Sequence, residues 1–191
     1  MSYAAKYLQA HGQACTILRD VPVQSYASLK RSTRATRDPG ARDAYWEGLI
    51  LAESLLASGE VIQIGGTLYL VQSVDSDPAS SELAFFAAKV NASLTLSRRV
   101  ESVDENGNII VVWQQIAANI PGFIQVVTAA LRQQDPGLLS NTVYMAQVAK
   151  ANNVQILDRL TFNSKNYQVD AIDEVGLPGV VRVQLSSDER P

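Results

Sequence analysis

The chain has 191 residues, a net charge of −3, and 47% hydrophobic against 18% charged residues, a globular composition that excludes a disordered chain. Residues 1–98 carry nine cations and nine acids and residues 99–191 seven and ten, so neither half binds nucleic acid by bulk charge. A single cysteine, Cys15, excludes an intrachain disulfide framework, and with a single histidine, His11, a Cys/His zinc site is excluded too.

In chain order, Ser2 to Ala10 places Tyr3, Ala4, Tyr7 and Leu8 at helical spacing, with His11-Gly12 as the stop, and predicts a short N-terminal helix. Gln13 to Arg19 predicts a strand with Cys15 as a buried thiol. Ser25 to Asp43 reads as a long loop, in which Lys30, Arg31, Arg34 and Arg37 are four cations in eight residues, followed by Arg42. Such a loop is a candidate contact for DNA or for an acidic partner surface; the plain alternative is a solvated loop. Ala44 to Ala52 is expected to be a strand. A hairpin follows, Val61–Ile64 and Leu68–Ser73 across Gly65-Gly66. Asp75 to Pro78 is turn chemistry. Glu82 to Ala92 fits a helix or a strand, and the repeat described below favours strand. Ser93 to Ser97 alternates as a strand.

Arg98 to Asn108 is polar and ends in the turn sequence Asp104-Glu105-Asn106-Gly107-Asn108, which places an expected boundary between a first module, 1–100, and a second, 101–191. Ile109 to Ile116 is a strand. Phe123 to Leu131 is apolar and free of charge. It reads as a protein-docking loop with Phe123, Ile124, Val127 and Leu131 as its contacts. Thr142 to Val148 is a strand, Asn152-Asn153 a turn, and Val180 to Ser186 the closing strand before a polar tail. No apolar run approaches a membrane span and no signal-peptide core is present, so synthesis or assembly in the cytoplasm is expected.

Ile156 to Asp173, read together with Gly59 to Asp75, matches it at an offset of 98 without a gap: Ile62 on Leu160, Ile64 on Phe162, Gly65-Gly66 on Asn163-Ser164, Tyr69 on Tyr167 and Val71 on Val169. Outside it, Ile17, Asp20, Val21 and Pro22 fall on Ile116, Asn119, Ile120 and Pro121 at 99, and Asp38-Pro39-Gly40 on Asp135-Pro136-Gly137 at 97. The pattern implies tandem duplication of one β unit. The expected fold class is mainly β: two small antiparallel barrel or sandwich modules from an internal duplication, with a short N-terminal helix.

Chemistry is sparse. There is no triad, no metal-ligand spacing and no phosphate loop, so no enzyme activity, cofactor or metal is expected. Tyr45, Trp46, Tyr69, Phe85 and Phe86 form either the first core or a ligand face, with core favoured.

The segment Asp158-Arg159-Leu160-Thr161-Phe162-Asn163-Ser164-Lys165-Asn166-Tyr167-Gln168-Val169-Asp170-Ala171-Ile172, with the closing strand Val180–Leu185, resembles the C-terminal half of phage head–tail joining proteins. These are the head-closure or stopper components of the tailed-phage neck. The resemblance implies a small β-barrel that forms a ring, commonly sixfold, on the portal–adaptor axis of the virion, around the DNA channel and against tail proteins. Packaged DNA is then met non-specifically, and Lys30, Arg31, Arg34, Arg37 and Arg42 become its candidate contacts. Two copies instead of one small domain depart from that family, so a tail-completion or baseplate adaptor also fits. The competing class is a non-viral tandem β-barrel that binds a ligand.

Overall fold

The computed structural model describes residues 3–32, 43–76 and 81–190. It begins with helix α1 (Tyr3–His11), followed by β1 (Gln13–Leu18), β2 (Val23–Arg31), β3 (Tyr45–Leu51), β4 (Val61–Ile64), β5 (Thr67–Ser76) and β6 (Glu82–Lys89). The second half contains β7 (Ala92–Val103), β8 (Ile109–Val126), helix α2 (Ala129–Gln134), β9 (Tyr144–Ala149), β10 (Arg159–Phe162), β11 (Lys165–Leu177) and β12 (Val180–Ser187).

These strands close into two antiparallel barrels, ordered β1-β2-β3-β6-β5-β4 and β10-β11-β12-β9-β8-β7. Adding six to each strand number of the first barrel gives every pairing of the second. Closure removes sheet edges, which lets so small a core stay covered. Strand alternation supplies the core: Cys15 and Ile17 of β1 point inward, as do Leu94 and Leu96 of β7.

The duplication is therefore geometric. Ile50 pairs with Leu83 in the first barrel, and Val181 with Val148 in the second, 98 residues on in both strands. Both barrels carry a bulge at the same point of the corresponding strand, at Gln72 between Val71 and Ser73 and at Asp170 between Val169 and Ala171. The β4–β5 turn needs positive φ at both central residues: 54° and 81° at Gly65-Gly66, 49° and 60° at Asn163-Ser164.

Several expectations are corrected. Ile17 pairs with Ile62 and Leu96 with Leu160, so the counterpart of Ile17 is Leu96, not Ile116. The offset of 99 fails there because the β7–β8 hairpin is far longer than β1–β2. The polar stretch from Arg98 is not a linker but the outer part of that hairpin, paired from Arg98↔Gln114 to Val103↔Ile109. The chain passes between barrels at Val90-Asn91, about ten residues before the expected boundary. Ser25–Arg31 belongs to strand β2 and not to a loop. Phe123–Val126 likewise ends β8, and Leu131 lies on α2. The strand reading of Glu82–Lys89 is what the structure has. Asp38-Pro39-Gly40 and Asp77-Pro78 lie outside the described residues.

Candidate functional site: the barrel seam and the β7–β8 arm

The two barrels pack on each other through a seam of aromatic, aliphatic and paired polar side chains. Tyr45 meets Phe123 edge to face at 5.4 Å and stacks on Phe86 at 5.4 Å. Val61 and Leu70 of the first barrel bury Val180 of the second. Gln72 donates through Nε2 to Oε1 of Gln147, and both residues are buried, so each satisfies the other at the seam. Asn91 holds the crossover: its Nδ2 donates to the Ile124 carbonyl at 2.8 Å and its Oδ1 accepts from the Ile124 amide at 2.7 Å.

Backbone approach is closest at Gly59 and Gly179. A Cβ on Gly59 would lie 2.0 Å from the Gly179 carbonyl oxygen, and one on Gly179 would lie 1.9 Å from that of Ser58. Gly59 also sits at φ +87°, which a side chain disfavours. Ser58 stitches the two together, donating to the Gln72 carbonyl at 2.6 Å and accepting from the Gly179 amide at 3.2 Å.

The seam joins unlike faces. A shift of 98 carries Gln147, Gly179 and Val180 onto Leu49, Ser81 and Glu82 of the first barrel, none of them in the seam. Conversely, Tyr45, Gly59 and Gln72 map onto Val143, Leu157 and Asp170, which are also outside it. This is head-to-tail packing, which leaves the receiving face of the first barrel and the inserting face of the second unused within the chain.

The predicted contact residues separate accordingly. Lys30 and Arg31 are at the end of β2, with Lys30 78% exposed in its side chain and 3.9 Å from Glu47, and Arg31 paired with Asp43. Arg34, Arg37 and Arg42 lie outside the described residues. Phe123 and Ile124 are neighbours on a strand and so point to opposite faces. Phe123 is buried in the seam, whereas Ile124 packs on the second core. Val127 is partly exposed, and Leu131 lines a crevice of about 330 Å³ together with Phe123, Tyr45 and Gln147, so two of the four meet there. The four do not form one docking surface. Of the aromatic candidates, Tyr45, Tyr69 and Phe85 are buried, and Trp46 packs edge to face on Tyr69 at 5.7 Å, so these rings are mainly core.

Two features were not read from the sequence. The first is a clamp present once per barrel. Arg98 donates to both carboxylate oxygens of Asp158 and to the carbonyl of Asn153. Arg19 does the same to Glu60 and Leu55. Leu55 and Asn153 are 98 apart, and both take the left-handed conformation. Burial works against ionisation of Glu60, but Arg19 and the Ala57 amide outweigh it and hold the carboxyl below its ordinary range. The spacing does not repeat, 41 residues from Arg19 to Glu60 and 60 from Arg98 to Asp158, largely because the β7–β8 hairpin is longer, so no fixed offset reveals the pair.

The second is a cluster on the C-terminal tail. Asp188, its side chain fully covered, accepts from Arg159 at 2.7 Å and from Arg190 at 2.8 Å. Both guanidinium groups cover the Trp113 ring, at 3.7 Å and 4.8 Å from its centroid. This fixes the base of the β7–β8 arm, whose outer residues stay exposed: Val103 at 68% and Ile109 at 71%.

Among the described residues no group of three or more His, Cys, Asp or Glu could hold a metal ion. No described helix is long and apolar enough to cross a membrane. A cavity of about 190 Å³ has Arg182 between Asp135 and Asp173, at 3.6 and 3.8 Å, as ion-paired surface groups.

No family model matches the chain, and no curated protein matches it. Among solved structures, it is similar to two of K. pneumonia MrkH. One is 7% identical, covering 97% of this chain and 81% of that one at a TM-score of 0.21. The other, in the apo state, is 6% identical, covering 98% and 83% at 0.22. Superposition this poor transfers neither fold detail nor ligand.

Proposed function

We propose that this protein is a structural component of a tailed-phage neck, of the head–tail connector or stopper type. In this reading it forms a ring that joins head to tail around the DNA channel and carries out no chemistry. The observation that carries the self-assembling part is the head-to-tail seam. One barrel already accepts its duplicate through a face whose counterpart on the other barrel is left open, and repetition of such a contact between chains generates rings. The phage assignment rests on the resemblance of Asp158–Leu185 to head–tail joining proteins. Net acidity supports passage of DNA without tight binding, because fixed acids repel phosphates while a few cations grip transiently. Lys30, with 78% of its side chain exposed at the end of β2, is a described candidate for that grip.

Light scattering on the purified protein, alone and with a portal–adaptor complex, tests the reading. Rings, formed alone or on that complex, are the expected result. A monomer that stays a monomer with the complex present overturns it.

A further inference from the structure

Where the barrels meet, each contributes a buried glutamine to the crevice of about 330 Å³. Gln72 of the first barrel is 4% exposed and Gln147 of the second 8%. Their carboxamides make one hydrogen bond among the described residues, from Nε2 of Gln72 to Oε1 of Gln147. A carboxamide can accept at its oxygen and donate twice from its nitrogen. Oε1 of Gln72 and Nε2 of Gln147 are therefore left over, and neither atom is sealed from solvent. Polar groups on residues this buried are ordinarily paired. Here one acceptor and one donor remain, on two residues that line the same crevice. A peptide group supplies the complement of both.

The rest of the lining narrows the ligand. Arg182 is its charged residue, and that guanidinium already has Asp135 at 3.6 Å and Asp173 at 3.8 Å. An anion would compete with two acids in place, and a cation would meet the guanidinium. Gln125 and Gln134 add further carboxamides. Tyr45, Phe123, Leu131 and Met145 supply aromatic and aliphatic wall. The volume lies at the lower end of the range for ligand sites. The amide pair needs both barrels: the counterparts of Gln72 and Gln147, 98 residues away, are Asp170 and Leu49.

We propose that the seam crevice binds an uncharged peptide segment. Its N–H donates to Oε1 of Gln72, its C=O accepts from Nε2 of Gln147, and an adjoining aliphatic side chain lies against Phe123 and Leu131. This goes beyond the neck reading and does not rest on it.

N-acetyl-leucinamide carries these features in one small neutral molecule. Titrated into the ¹⁵N-labelled full chain, it is expected to shift the side-chain amide signals of Gln72 and Gln147 saturably. N-acetyl-leucine, a carboxylate, and leucinamide, an ammonium, are expected to bind more weakly. Gln147→Ala should weaken binding of the neutral probe about tenfold, the effect of one lost hydrogen bond. Leu131→Asp, on helix α2 and outside the glutamine pair, should weaken it as well, and its spectrum away from the crevice should remain that of the parent. The second variant keeps the test valid if the first disturbs the seam. No saturable shift at the two glutamines, a charged probe that binds as tightly as the neutral one, or unchanged binding by the folded Leu131→Asp variant overturns the proposal.

Discussion

Arg98 grips Asp158 with two hydrogen bonds of 2.8 Å and reaches the Asn153 carbonyl at 2.9 Å. The carboxylate is almost completely covered, while the guanidinium keeps a quarter of its surface exposed. Removing one partner of such a pair strands the other, so Asp158→Ala is expected to cost about 3 kcal/mol. Glu60→Ala, at the more exposed equivalent in the first barrel, is expected to cost about 1 kcal/mol. Urea melts of both variants check the order.

The register of the duplication has its own consequence. Leu96 is fully buried and Ile116 is 42% exposed on the arm. Leu96→Ala should therefore cost about 2–5 kcal/mol, and Ile116→Ala less than about 1 kcal/mol. Equal losses at the two sites would show that the equivalence of β1 and β7 is wrong.

The seam should be sensitive to a single carbon. Gly179→Ala places a Cβ against the backbone of Ser58, and overpacking of this kind costs about 1–3 kcal/mol. Each barrel keeps its own core, so calorimetry is expected to show a single transition for the parent that broadens or splits in the variant. An unchanged melting profile would count against the close approach.

Acid should loosen the tail. Burial alone would raise the Asp188 carboxyl, but hydrogen bonds from Arg190 and Arg159 hold it well below the ordinary carboxylate range. Its folded value lies below its unfolded value of about 4, so its stabilisation is complete above that pH. It is lost as pH falls further through the depressed folded value. Trp113 is the reporter: its fluorescence should change on acidification below about pH 4, and Asp188→Asn should show the changed signal already at neutral pH.

Burial pushes the Cys15 thiol up to about 11, against a smaller opposing effect of the Ser25 amide. The thiolate is the reactive form, so a thiol reagent at pH 8 should leave the native protein unmodified and label it at once in urea. Rapid native labelling would place Cys15 outside the first core.

The strands themselves were legible because alternation of apolar and polar residues is a local property. Tyr69-x-Val71 and Tyr167-x-Val169 each carry their burial pattern within a few residues. The hairpin turns were legible for the same reason, since positive φ favours Gly and Asn. Phe123 and Ile124 show where this stops: the sequence reports two apolar neighbours, but not that one enters a core and the other a seam between barrels. Likewise Arg98 to Asn108 reads as polar linker because its apolar partners, Ile109 to Val112, come later in the chain.

What the sequence alone determined is the period: which residues alternate inward on the two repeated hairpins, and that the unit occurs twice. Only the tertiary structure decided how the copies meet, where the arm projects, and which arginine holds which acid. Those outcomes depend on contacts between residues tens of positions apart, whose energies come from shape and charge in three dimensions and leave no periodic trace along the chain.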